Sequence, residues 1–433
     1  MTNNLLVRTS NRSGSILDLL WPGIQSVPQA NLNGRVGNVW IAKQVGGGSS
    51  VNAMMNMRGS AEDYDRWSAL FGDEAQQGTA DWSWDGILPF FKKGDSSEIY
   101  AGWPRLYYPG VTPLFEAFKE IDGVEFPSDS GAGKAGVFWF PTLMDPRTVT
   151  RSYAGTGHYL NINATRPNYH LLIKTQVRRL LVDDELSATG VEFPLGNNTL
   201  LTVKAKKEVI LSAGTIHTPH LLQVSSIGPK KILEAGGIDV LVDLPGPYSI
   251  ALANLAGWLP FTVVSDKADE LATKLEQQDF ASLLPAGADA TVVAGFEAQM
   301  KMLAAQMRSK DTAFTRLQLI ADHGAQGPVA MQSFSRGTVN INTTDPLNTE
   351  PTSLASEFGP VDAMSPTDYH PVGTASMLPL ELGGVVDQTL RVYGVKNLRV
   401  IDASVMPMVP SANTCQPTYA LAEKAAEIVK QGI

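Results

Sequence analysis

The sequence predicts an α/β protein built from two interleaved domains, and three observations carry that expectation. Short apolar or β-branched runs bounded by turn residues recur between stretches of helical periodicity. Segments rich in glycine turns and short strands alternate with segments rich in aromatics, helices and long loops. The 433 residues also suffice for two or three domains at ~100 to 200 residues each.

In chain order, residues 178–182, 190–193, 208–211, 239–243 and 398–401 read as strands. Residues 218–224 read as a helix after the flexible pair Ala213-Gly214. The longest helical region, 266–308, carries Leu271, Leu275, Met300, Leu303 and Met307 and is broken at Pro285-Ala286-Gly287. Residues 418–431 place Leu421, Ala425, Ile428 and Val429 on one face, close to a 3.6-residue period. The alternation assigns 1–75, 151–246 and 385–433 to one domain and 76–150 and 247–384 to the other.

Composition narrows the function classes. Hydrophobic residues at 43% and charged residues at 18% suit a packed enzyme. The net charge of −9, with only short basic pairs such as Lys230-Lys231, argues against a nucleic-acid partner and leaves a small-molecule substrate. A single cysteine, Cys415, excludes an intramolecular disulfide framework and a cysteine-rich metal site. Met1 to Gly14 lacks the apolar run of a secretory signal, and no stretch of about 18 apolar residues occurs. As written, the chain reads as soluble and cytoplasmic, or secreted if a longer precursor carries a signal. Its oligomeric state is not legible.

Two glycine patterns invite attention. Gly46-Gly47-Gly48-Ser49-Ser50-Val51-Asn52 sets three residues without Cβ beside two hydroxyls and an amide, so a ligand can approach the backbone closely. A tight turn before a helix gives the same pattern. A literal G-x-G-x-x-G at Gly131, Gly133 and Gly136 lacks the strand before it and the helix after it that a dinucleotide site needs; a strand-like run, Val137 to Phe140, follows instead.

The C-terminal third holds three blocks: Tyr369-His370-Pro371-Val372-Gly373-Thr374, then Val400-Ile401-Asp402-Ala403-Ser404, then Pro410-Ser411-Ala412-Asn413-Thr414-Cys415-Gln416-Pro417-Thr418. A histidine followed closely by proline and glycine sits in a constrained loop. Unperturbed imidazole titrates near ~6.5, so neutral His370 can accept a proton, although on spacing alone a loop histidine is more often structural.

These blocks, together with 47–52, the run Arg58-Gly59-Ser60-Ala61-Glu62-Asp63-Tyr64, and Glu208 to Pro219, resemble the glucose-methanol-choline (GMC) oxidoreductases. The similarity runs in family order from about Pro28 to Val429. It implies an FAD-binding Rossmann-like domain interleaved with an α+β substrate-binding domain, and oxidation of an alcohol to a carbonyl. By the same resemblance His370 is the base and Asn413 holds the substrate oxygen, while Gly47, Gly48, Ser50, Asn52, Val177, Asp402, Ala403, Pro417 and Thr418 meet the flavin.

Against the family pattern, the chain joins downstream of the G-x-G-x-x-G fingerprint and its acidic ribose ligand, so the FAD-binding domain is expected to be incomplete and its grip on the ADP half weakened. A segment after Leu244-Pro245-Gly246 and part of the stretch before Tyr369 are also shorter than the family's. A flavin-independent, redox-neutral lyase, cyclase or dehydratase using His370 as acid and base is the alternative.

Other features have plainer readings. His217 and His220 flank Pro219 without a third ligand nearby and read as helix-start residues, so no metal is expected. Cys415 reads as a buried, inert thiol. Trp82, Trp84, Trp103, Trp139 and Phe140 either line a pocket or pack.

Overall fold

The computed structural model describes residues 39–75, 78–95, 98–103, 111–196, 199–245, 257–284, 287–319, 337–347 and 370–433, with short pieces at 20–21, 24–28, 34, 36, 248–249, 326–330 and 352–354.

The chain opens with α1 (Ala61–Ala69), α2 (Trp84–Asp95) and α3 (Val111–Phe118). Three two-residue strands follow, β1 (Gly136–Val137), β2 (Met144–Asp145) and β3 (Thr150–Arg151). An antiparallel meander then runs through β4 (Arg179–Val182), β5 (Ala188–Leu195) and β6 (Thr199–Lys204). After it, β7 (Val209–Leu211) leads into α4 (Gly214–Val224), then β8 (Ile227–Gly228), α5 (Lys230–Ala235) and β9 (Val242–Asp243). The middle of the chain supplies β10 (Tyr248–Ser249), β11 (Gly257–Leu259), α6 (Phe261–Val264), α7 (Ala268–Glu276), α8 (Ala290–Arg308) and β12 (Thr315–Leu319). It continues with β13 (Gln326–Ala330), β14 (Gly337–Asn340) and β15 (Thr352–Leu354), and the chain closes with β16 (Leu398–Val400) and α9 (Cys415–Gln431).

Two kinds of sheet result. β7 and β16, far apart in sequence, pair in parallel with Leu398 opposite Val209, and β8 pairs in parallel with β9. The sheet β1-β11-β12-β13 is antiparallel throughout.

The largest core gathers α2, α4, β7, β16, α9 and the run from Val372 to Val409 around Trp67, Trp82, Phe91, Leu398 and Leu421. Its two deepest indoles keep hydrogen-bond partners, Trp82 Nε1 donating to Gln388 O at 2.8 Å and Trp67 Nε1 to Met408 O at 3.0 Å. A second core joins α7 to α8 through Ala272, Leu275, Phe296, Met300 and Leu303, a helical stripe that faces inward. A third, small cluster, Met55, Met57, Ala135, Phe138, Ala313 and Ala412, joins the root of the antiparallel sheet to the loop before α9.

The α/β class is as the sequence predicts, and most elements fall within a few residues of their expected bounds. Three differ for physical reasons. The strand expected at 239–243 is only Val242–Asp243, because its parallel partner β8 offers two residues. In the helical region 266–308, expected to break at 285–287, α7 already ends at Glu276, and α8 begins at Ala290, capped by the Asp289 carboxylate accepting from Thr291 N–H at 2.8 Å. Helix α4 begins at Gly214 rather than at 218, for a reason that lies in the site itself.

Candidate active site

The carboxyl ends of parallel strands are where α/β sheets bind ligands. Beyond β7 the chain turns through Ser212-Ala213-Gly214 into α4, and beyond β16 it turns through Ile401-Asp402-Ala403. Asp402 ties the two turns together. Its buried carboxylate accepts from Gly214 N–H at 2.9 Å, from the Thr218 hydroxyl at 2.7 Å and from Ser404 N–H at 2.8 Å. Capping by Asp402 lets α4 start at Gly214, whose φ of +81° suits glycine. Two of these bonds fall on Oδ2 and one on Oδ1.

The block carrying His370 is laid directly against this turn. Ala375 N–H donates to Ser404 O at 2.9 Å and Met377 N–H to Val405 O at 2.9 Å, with a longer Gly373 N–H to Ala403 O contact at 3.4 Å. Pro219 explains a further tether. It lacks the N–H that would reach Thr215 O inside α4, and the Thr374 hydroxyl donates to that carbonyl instead, at 2.7 Å. His370, half-buried, lies three residues ahead of the Gly373 contact that starts this pairing.

The glycine loop forms a 3-10 turn over Gly47–Ser50. Gly46, at φ +98°, is the crowded position: a Cβ there would lie 2.7 Å from both Gly155 N and the Tyr153 ring. Gly47 and Gly48 are the opposite, since a Cβ on either meets nothing within 4 Å, and the same holds for Gly214. The loop backbone therefore borders open space at Gly47 and Gly48. Ser50 is buried, its hydroxyl bonded to Gly47 O at 2.5 Å. Asn52 Oδ1 accepts from Met54 N–H at 3.0 Å and from Arg151 Nη1 at 2.8 Å, and the same Nη1 reaches Ser49 O at 3.2 Å.

Helix α9 points its N-terminus at this loop. Cys415, its first residue, lies against Asn52 and Tyr419, and burial pushes the thiol up to about 11, so it stays protonated at neutral pH. Pro417 sits in the first turn, where its missing N–H costs no helix bond, and the Thr418 hydroxyl donates to Thr414 O at 2.7 Å. Asn413, buried at 6% exposure, stands just before the helix.

The glycine loop, with Gly47, Gly48, Ser50 and Asn52, thus meets the start of α9, which carries Pro417 and Thr418, while Asp402 and Ala403 meet the Gly214 turn and the block that carries His370, and Asn413 lies on the stretch of chain between. Val177 sits ahead of β4, partly buried against the main core. Beyond it β4 meets the C-terminal end of α4, where Leu180 N–H donates to the Ser225 hydroxyl at 2.8 Å, at the opposite end of the helix from the Gly214 turn.

Sequence reasoning passed over two groups. Arg151, buried under the glycine loop, carried no motif signal. Asp63, fully buried with Ser60 and Ser411, left a trace in the Ser-x-x-Asp capping pattern of residues 60–63. Among the aromatics, Trp82 and Trp84 pack in or against the main core, whereas Trp103 and Trp139 line a cavity of about 390 Å³ with Phe115 and Phe126. Phe138 packs toward Ala412 while Val137 faces that cavity, so the cavity lies on the far side of the strand from Asn413. His217 and His220 lie inside α4, packed on Trp21 and near Pro346 O respectively, and no metal-binding cluster occurs among the described residues.

Known proteins bear on the whole of this arrangement. Family models described as GMC oxidoreductase match residues 13–245 and 289–422. The dehydrogenase xptC of Emericella nidulans is 31% identical over 536 aligned positions, covering 95% of this chain and 84% of that protein. The alignment exceeds the chain's own 433 residues, so the relative carries segments with no counterpart here. An FAD-dependent oxidoreductase from Chaetomium thermophilum superposes with a TM-score of 0.85 at 28% identity, covering 96% of this chain and 91% of that one. A fungal aryl-alcohol oxidase gives 0.85 at 27%, with 95% and 89% covered. Among the described residues no helix is long and apolar enough to cross a membrane. The chain belongs to the GMC oxidoreductases and is an enzyme of the alcohol oxidase or dehydrogenase kind.

Proposed function

We propose that the protein binds FAD in the space between the glycine loop, the α4 turn and the start of α9, and that it oxidises an alcohol to a carbonyl there with His370 as base. The residues present fit the cofactor: a Cβ on Gly47, Gly48 or Gly214 would meet nothing within 4 Å, α4 begins at the Gly214 turn, and α9 begins against Asn52 of the glycine loop. FAD, when bound, supplies the acceptor for a carbon-bound hydride.

The chain's own groups handle the proton. A neutral His370 ring nitrogen takes the hydroxyl proton of the alcohol, and the loop pairing to Ser404 and Val405 restricts where that ring can point. The Asn413 side-chain amide donates to the substrate oxygen and stabilises charge that develops as the proton leaves. Asn413 cannot replace His370 as base. The single observation that supports this reading is the pairing of 375–377 to 404–405, which lays the block carrying His370 against the turn at the end of the parallel strands.

The test is a visible absorption spectrum of the purified protein, followed by turnover of a panel of primary alcohols with a dye acceptor. Flavin absorbance is expected, and His370→Ala should lower kcat by about 10²- to 10⁴-fold. A colourless protein that gains no activity with added FAD would sink the reading and favour the redox-neutral alternative.

A further inference from the structure

Helix α1 opens with a capping box in which Asp63 returns to Ser60 N–H at 2.9 Å. Capping alone asks no more of that carboxylate. Yet Asp63 is 1% exposed, Arg66 Nη2 pairs with its Oδ1, and its Oδ2 also accepts from Ser411 N–H at 2.8 Å and from the Ser411 hydroxyl. Two of its bonds therefore go to a residue 348 positions away, on the loop that carries Asn413. Burial pushes the Asp63 carboxyl up and the Arg66 guanidinium down, opposed by their mutual attraction.

Nothing between Ser411 and Asn413 gives slack. Ala412 is fully buried, and a Cβ on Gly59 would lie 3.4 Å from that of Ala412 and 3.0 Å from Asp63 Oδ2. The same turn of α1 is also tied to residues 306–313. Glu62 accepts from the hydroxyls of Ser309 and Thr312, Arg66 donates to Gln306, and Ser60 Oγ accepts from Ala313 N–H at 3.2 Å. Ala313 leads into β12 of the antiparallel sheet.

We propose that Asp63 is a positioning residue for Asn413, acting through Ser411 and fixing that amide relative to the root of the antiparallel sheet. The proposal rests on the role given above to Asn413. The buried ion pair, the shared serine hydroxyls and the tight Gly59–Ala412 contact together hold the loop to one geometry. Displacing a catalytic amide by ~1 Å costs up to ~10²-fold in rate.

Ser411→Ala in the FAD-loaded protein tests it, because it deletes one hydroxyl and keeps both the Ser411 N–H bond and the Asp63–Arg66 pair. Amide hydrogen exchange across 408–414 should rise, a reading that needs no substrate. With benzyl alcohol and a dye acceptor, kcat should fall about tenfold while KM and flavin content hold. In an Asn413→Ala background the same substitution should change kcat less than about twofold, since the group it positions is gone. Ser411→Thr, which keeps the hydroxyl, should restore both readings. Where the alanine variant does not fold, Ser411→Cys, a weaker donor in the same place, gives them at smaller amplitude.

Unchanged exchange, or an equal kcat loss in both backgrounds, overturns the proposal. Wild-type turnover by Asn413→Ala alone would instead retire the role of Asn413, an outcome distinct from additivity, and the proposal would fall with it.

Discussion

Lys424 gives the sharpest quantitative prediction, through the pH dependence of stability. It lies on α9, fully buried, with Nζ donating to Gly86 O at 2.9 Å and standing 5.2 Å from the Trp82 ring and 4.9 Å from the Phe90 ring. Burial pushes its pKa down from 10.5 to about 8, with the nearby Asp81 opposing. The folded-state pKa is thus below the unfolded one. Below pH 8 both states carry the proton and the folded protein bears the full cost of a buried cation. Between pH 8 and 10.5 the unfolded chain binds more protons, so this group's contribution to stability rises with pH. A shift of that size corresponds to ~3 kcal/mol at most, and relaxation around the amine brings the expectation to about 2 kcal/mol. Tyr393 and Cys415, both raised by burial, push stability the other way at high pH, which makes the difference between two proteins the right observable. Denaturant unfolding of wild type and Lys424→Met at a series of pH values supplies it, since the unchanged groups cancel. The wild type should gain about 2 kcal/mol on the variant between pH 7.5 and 10.5. A difference that stays flat across that window would refute the reasoning.

Three further outcomes follow from contacts around the glycine loop and α4. Arg151→Met removes the charge-assisted bond to Asn52 and the contact to Ser49 O, and FAD affinity, read by fluorescence titration, should weaken by about tenfold or more; unchanged affinity would detach Arg151 from the cofactor loop. Gly46→Ala combines a left-handed φ with a clash against Gly155 N and the Tyr153 ring, so the unfolding free energy should drop by about 2–4 kcal/mol, and a stable variant would contradict the packing. Thr374→Val strands Thr215 O and should cost about 1–3 kcal/mol, but less in a Pro219→Ala background, where the restored helix N–H can take that carbonyl; equal losses in the two backgrounds would deny the exchange of partners.

The parts of the site legible in the sequence are those where one short stretch imposes the geometry. Three successive glycines mark a loop whose backbone must approach something closely, and the structure shows open space beside Gly47 and Gly48. His370-Pro371-Val372-Gly373 marks a constrained loop, and its continuation is indeed pinned to Ser404 and Val405. The periodic face of 418–431 foretells α9, missing only the first turn, where Cys415, Gln416 and Pro417 carry no apolar rhythm. The rejected G-x-G-x-x-G at Gly131 to Gly136 illustrates the reverse case. Its pattern is complete, but Gly136 opens a strand rather than preceding a helix.

What stayed hidden depends on pairs far apart in sequence. Asp63 and Asp402 are each unremarkable locally, one in a helix cap and one after a strand. Each becomes a hub because a buried carboxylate must collect several donors, and the donors come from Ser411 in one case and from Gly214 and Thr218 in the other. Arg151 follows the same logic with the sign reversed, a buried cation directed at carbonyl oxygens of Ser49 and Asn52 that a sequence cannot show to be near. Pro219 is the instructive intermediate. In sequence it looks like a boundary and so shortens the expected helix, yet its missing N–H is what leaves Thr215 O free to hold Thr374. A residue that disfavours helix interiors thus fastens the histidine loop to the helix it was expected to start, and that link is visible only once both partners are in place.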